Sequence, residues 1–334
     1  MTDAPIICAN PACRIAETGK CVEGLPVSEC PQYGREPEEQ DASPVASEEP
    51  HPRSESLPSG DVLSIERAAS LLVERESRVI TIIGPRETGK TSLVAGLYDL
   101  FQTGPIGEIS FARSRTLQAF EMACHDARQA SRRKTPHMGR TPRGEVRFYH
   151  LDLKGGMANS GLTLLIADRS GEEYSDVADD IAAAADLVEV RRADSITFLI
   201  DGARLLDAGL RHNIKTDVAM IMQGLVESGT LCGDKRIALV LTKLDLICKS
   251  EHVARVDEDF DGLCSHLAEI MEGRIGRLEK FRIAASPEDG AIKRGTGIDG
   301  LLNFWLEDES VAEVILQDVG RPKRAMARIK PLDE

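Results

Sequence analysis

IIGPRETGKTSLVAGLYDL, residues 82–100, sets two apolar residues before Gly84, then Gly89-Lys90-Thr91, then an amphipathic stretch. The preceding RVITII (78–83) reads as a buried strand and the following residues as a helix, so a glycine-bearing turn joins the two. GPRETGKT fits G-x-x-x-x-G-K-[ST] in the strand–turn–helix context that gives this pattern its meaning. Backbone N–H groups of Gly84, Glu87, Thr88, Gly89, Lys90, Thr91 and Ser92 can then turn inward around phosphates. The helix N-terminus adds a partial positive charge to the same place. Lys90 is placed to reach β- and γ-phosphates, and the Thr91 hydroxyl to reach a magnesium ion.

Working outward, apolar runs alternate with helical patterns from about residue 61. Strands are predicted at 78–83, 145–153, 162–167, 195–200, 236–242 and 281–285, and helices around 90–102, 111–133, 173–192, 211–228, 251–279 and 298–317. Such alternation predicts an α/β fold with both faces of a mostly parallel six-stranded sheet covered. The segments 145–153 and 162–167, joined by KGGMANSG, read as a hairpin, which makes one edge strand antiparallel.

Three of these strands end in residues suited to a nucleotide. LTLLIA is followed by DRSG, an Asp-x-x-Gly at Asp168 and Gly171. A carboxylate there lies within reach of magnesium, and the Gly171 N–H can sense a γ-phosphate. RIALVL is followed by TKLD, which fits [NT]-K-x-D at Thr242, Lys243 and Asp245. A carboxylate at Asp245 can accept hydrogen bonds from guanine N1–H and the exocyclic amine; adenine lacks that pair and would leave it unpaired. FRIAASPED places Ala285 and Ser286 where backbone N–H groups can hold guanine O6.

In this order the four patterns resemble the guanine-nucleotide domain of Ras-like and translation-factor-like GTPases, over about residues 61–320. Within that group the chain is most similar to the double-GTPase families of bacterial conflict systems, on its Cys-rich head with GKCVEG and ECP, the stretch FARSRTLQAF, and DRSGEEY. The resemblance implies a magnesium-dependent, slowly hydrolysing GTP switch that signals to a protein partner. Lys90 would act on the phosphates, and magnesium would be held by Thr91, Asp168 and a switch threonine. That threonine should lie near the end of the insertion 103–144; Thr141 is preferred over Thr135 for its closeness to the next strand.

Two departures weaken the resemblance at the chemistry. Glu172 stands where many relatives place the glutamine that orients the attacking water. A glutamate can instead favour the helix N-terminus. The basic run 128–147 holds seven Arg or Lys against one Glu. It reads as the source of a cis arginine (Arg132, Arg133 or Arg140, with Arg140 carried as the catalytic candidate), as a docking patch, or as a solvated loop. A partner is expected to use residues 111–147 and the N-terminal segment. A GTP-binding scaffold with little or no hydrolysis is the competing reading.

The N-terminal part differs in kind. Cys8, Cys13, Cys21 and Cys30 crowd the first thirty residues with spacing C-x4-C-x7-C-x8-C, which suits a structural zinc in residues 1–33 or, alternatively, two disulfides. Residues 34–60 are almost devoid of apolar side chains and predict a flexible acidic linker; residues 321–334 read as a basic, flexible tail. Cys124, Cys232, Cys248 and Cys264 are scattered as packing residues. The net charge of −14, half of it from residues 1–60 with eleven acidic and four basic side chains, argues against general nucleic-acid binding. No run is long enough to span a membrane and the first residues lack a secretory pattern, so a cytoplasmic location is expected.

Overall fold

In a computed structural model the protein is described at residues 60–132, 141–156, 158–233, 235–287 and 291–307, with 15, 26–30 and 33. The chain divides into two compact units, Met1–Leu57 and Pro58–Glu334. In the first, the described residues include a single 3-10 turn, Val27–Glu29. The second unit holds the strands and helices that follow.

β1 (Ser77–Ile83) is buried along most of its length, as VITII requires, and pairs in parallel with β4 (Ala158–Asp168) on one side and β5 (Ser195–Asp201) on the other. β5 pairs with β6 (Arg236–Thr242), and β6 with β7 (Leu278–Arg282), both in parallel. β3 (Arg147–Gly155) forms the expected antiparallel hairpin with β4. β2 (Ser110–Arg113) then adds outside β3, so the order is β2-β3-β4-β1-β5-β6-β7. The sheet therefore has seven strands instead of the expected six, and the antiparallel strand is one in from the edge. The helix read at 111–133 starts later because Ser110–Arg113 is captured by β3, with Phe111 opposite Leu153 and Arg113 ion-paired to Asp152.

Three helices cover one face: α2 (Lys90–Thr103), α3 (Leu117–Arg132) and α10 (Ile298–Leu306); they pack Leu93, Leu97, Phe120, Leu302 and Trp305 against Ile80, Ile82, Leu164 and Val240. α4 (Gly171–Asp179), α5 (Val188–Arg192), α7 (Arg211–Glu227) and α9 (Val253–Ile270) cover the other around Phe198, Ile200 and Leu239. The helix read at 173–192 is broken because Asp180 leaves helical geometry and accepts the Ala182 N–H, starting a 3-10 segment before α5. α1 (Ile65–Glu74), which the sequence reading did not separate from the region before β1, lays Ala68 and Leu71 on Val79 and Leu165. Short α6 (Gly202–Leu206) and α8 (Leu244–Lys249) follow β5 and β6 directly.

α10 is fastened by polar bonds as well as by area. The Trp305 indole donates to Thr197 Oγ1 at 2.9 Å. The guanidinium of Arg236 donates to the Phe304 and Trp305 carbonyls at 2.8 and 3.3 Å, capping the helix end with a cation. The helical pattern in the sequence runs on to residue 317; residues beyond 307 lie outside the described ones.

Candidate functional site

β1 ends at Ile83, and the turn Gly84–Gly89 brings the chain into α2. Glu87 and Gly89 take left-handed backbone (φ 66° and 99°), and Thr88 Oγ1 closes the turn on the Pro85 carbonyl at 2.9 Å. Lys90 folds back over the turn, donating to the Gly84 and Pro85 carbonyls at 2.8 and 3.2 Å. Burial lowers the Lys90 pKa to about 8, while the neighbouring Asp168 charge opposes the fall. Thr91 and Ser92 follow in the first turn of α2, both partly buried.

Asp168 ends β4 against this turn. Burial raises its pKa and Lys90 pulls it back down. Thr141 Oγ1 donates to Asp168 Oδ2 at 3.1 Å, so the threonine chosen from the insertion meets the strand-end carboxylate. Gly171 lies so close to the turn that a Cβ there would sit 2.6 Å from Lys90 Nζ and 2.7 Å from the Gly84 oxygen, which only glycine avoids. Lys90, Asp168, Thr141 and Gly171 thus form one cluster. Arg140, Arg133 and Thr135 lie outside the described residues.

Apart from Glu172, the residues beside this cluster carry no signal of their own in the sequence. Arg143, two positions after Thr141, pairs with Asp176 and, at 3.5 Å, with Glu172. Arg169, inside Asp-x-x-Gly, is 5% exposed and donates to Glu189 at 2.8 and 3.1 Å, to Glu173 at 2.7 Å and to the Asp186 carbonyl at 3.1 Å. Glu189 is itself 1% exposed; it also accepts the Tyr174 hydroxyl at 3.1 Å, and its carbonyl accepts Thr81 Oγ1 at 3.0 Å. A buried, multiply bonded ion pair therefore ties the Asp-x-x-Gly turn to α5 and to β1.

At the end of β6, two strands over from β1 in the same sheet, Thr242 and Asp245 are both buried. Thr242 Oγ1 donates to the Ile200 carbonyl at 3.2 Å, and Lys243 takes φ 57°. Leu244 N–H donates to the Ile283 carbonyl at 3.1 Å, joining this turn to the segment that carries Ala285 and Ser286. That segment is braced by Ala284 N–H on the Thr296 carbonyl at 3.0 Å.

Cys30 is a free, partly buried thiol, whereas Cys8, Cys13 and Cys21 lie outside the described residues. Among the described residues no group of three or more His, Cys, Asp or Glu is arranged to hold a metal, and no helix is long and apolar enough to cross a membrane.

A phosphate-binding turn between the central strand and its helix, with acidic, threonine and glycine residues at neighbouring strand ends, defines the class: a P-loop nucleotide-binding α/β protein. Residues 78–306, more than half of the chain, match the Double-GTPase 2 family, and the chain belongs to it. Solved structures with similarity include the signal recognition particle receptor SRb-GTP/SRX complex from Chaetomium thermophilum, at 14% identity, covering 69% of this chain and 95% of that one, with a TM-score of 0.37. The small COPII coat GTPase SAR1 from Encephalitozoon cuniculi in complex with GDP matches at 13% identity over 69% of this chain and 78% of that one, with a TM-score of 0.30. No curated protein gives a match to the chain.

Proposed function

We propose that this GTPase-family protein is a magnesium-dependent guanine-nucleotide switch that hydrolyses GTP slowly and signals to a protein partner in a bacterial defence or regulatory system. The observation that carries the reading is the pairing of two clusters at the ends of parallel strands of one sheet: Lys90, Asp168, Thr141 and Gly171 around the phosphate turn, and buried Asp245 beside Lys243 after β6. The donor set fits magnesium, a hard cation that takes oxygen ligands: the Thr91 and Thr141 hydroxyls and the Asp168 carboxylate. When bound, the ion neutralises charge on the phosphate oxygens. Lys90 carries a second positive charge to the same oxygens, and the Gly171 N–H is free of a side chain that would keep it from the γ-phosphate.

Slow hydrolysis follows from Glu172. A carboxylate beside phosphates is a poor orienter of water, and Glu172 is drawn to Arg143. The same pair favours the second reading, a GTP-binding scaffold with little turnover. Arg140 stays a candidate for neutralising the transition state, a role that supplies ~10³–10⁵ in rate where an arginine fills it. Single-turnover rates with and without candidate partners separate switch from scaffold.

Guanine recognition is tested by titration. GTP and GDP should bind far more tightly than ATP, and Asp245→Asn should shift preference toward xanthine nucleotides, whose O2 accepts where the guanine amine donates. Equal affinity for ATP and GTP sinks the assignment.

For the head, we propose one structural zinc on Cys8, Cys13, Cys21 and Cys30, since a segment this short lacks a core of its own. Elemental analysis should find one zinc per chain, and deleting residues 1–60 should remove it while leaving GTP affinity within about threefold, because ligand sites in separate units are expected to act independently. A metal-free chain with those four thiols oxidised overturns the zinc and the cytoplasmic location together.

A further inference from the structure

β5 ends at Asp201 and α6 begins at Gly202, a pair of residues that belongs to none of the four nucleotide patterns. Asp201 is 2% exposed. Its two oxygens face different partners. Oδ1 accepts the Ala203 N–H at 2.9 Å and the Arg204 N–H at 3.4 Å, capping α6. Oδ2 accepts Lys243 Nζ at 2.7 Å. Lys243 is the second residue of TKLD and is held in left-handed backbone, so the pair joins the end of β5 to the turn that presents Asp245.

Two further contacts fix this corner. A Cβ on Gly202 would overlap the Thr242 carbonyl oxygen, so the glycine lets β5 and β6 end side by side. Asp201 also lines, with Pro85 and Thr88 of the phosphate turn, a small cavity against Ile214, Asp217 and Val218 of α7. Asp201 thus lines a cavity with the phosphate turn and, through Oδ2, meets Lys243 of the TKLD turn.

We infer that Asp201 is a positioning residue for nucleotide binding: its buried carboxylate holds the Lys243 side chain, and with it the TKLD turn, in the geometry that receives the base. This rests on the reading of TKLD as the guanine-binding turn. A lysine has many rotamers, and a free one must lose them when a base arrives; an ion pair made in the folded protein has removed that freedom beforehand, which is pre-organisation. The partnership is also obligatory from the other side. A carboxylate this buried needs a cation, and Lys243 is the cation that its Oδ2 meets.

The full-length chain and its Asp201→Asn variant are titrated with GDP and GTP in magnesium, and single-turnover hydrolysis is followed at saturating GTP. Asparagine keeps an oxygen to cap α6 and loses the charge that holds Lys243. GDP affinity should fall at least tenfold, while the saturated hydrolysis rate falls less than threefold. Lys243→Met should lose a similar amount, and the double variant no more than either single one. Asp201→Ser, also a good cap, replaces the asparagine variant if that one unfolds. Affinity within twofold of the parent, or additive losses in the double variant, overturns the inference while leaving the guanine reading intact. A parent chain that binds neither GDP nor GTP overturns both.

Discussion

Alanine in place of Lys90 should lower GDP and GTP affinity by at least ~100-fold, a loss of about 2.7 kcal/mol. The ammonium lies over the phosphate turn with two backbone carbonyls as its partners and Asp168 as its neighbour. Removing it takes away the charge aimed at the β- and γ-phosphates. Asp168 also loses the cation that most opposes its burial, which leaves the more weakly acting Arg147 and any bound magnesium as the compensating charges at that carboxylate. Isothermal titration of the variant, with its melting curve as a control for folding, measures the effect. A loss below threefold in a folded variant would mean that the turn does not hold phosphates.

Methionine at Arg169 should be the most damaging change to stability among the site's neighbours. Glu189 would be left as a buried carboxylate with the Tyr174 hydroxyl as its remaining side-chain donor among the contacts described. Breaking a buried pair by removing one partner costs about 3–5 kcal/mol. Denaturant unfolding measures it. The double change Arg169→Met with Glu189→Gln should recover part of the loss, because it removes the stranded charge together with its partner. A single variant within ~1 kcal/mol of the parent, the range of exposed ion pairs, would show that the pair adds no more than a surface bridge.

What could be read from the sequence was local. The phosphate turn, Asp168, Gly171 and the TKLD carboxylate each follow an apolar strand within a few residues, so strand ends and chemistry are visible together. The α/β class follows from the same alternation. Residues whose role depends on distant partners were not visible. Arg169 meets Glu189 twenty positions on, and Asp201 meets Lys243 forty-two positions on. Arg143 sits in a run of basic residues in which nothing local distinguishes it from Arg140. β2 was hidden because SFAR is short and rich in residues that helices accept; its identity comes from pairing with β3, a contact across about forty residues. Glu172 was legible as a departure, but its ion pair with Arg143 was not.

The polar fastening of α10 bears on how the chain is born. Synthesis delivers β1 to β7 before Ile298–Leu306 leaves the ribosome. Until then Thr197 lacks the Trp305 indole, Arg236 lacks the two carbonyls it caps, and the sheet face around Ile80 and Val240 has no Leu302 or Trp305 over it. A nascent polypeptide paused there exposes an oily wall with a buried-to-be cation at its rim, a surface suited to chaperones and prone to sticking. Among the described elements α10 is the last in the chain, so the bonds that fasten it are those the nascent protein makes after its sheet strands have been synthesised.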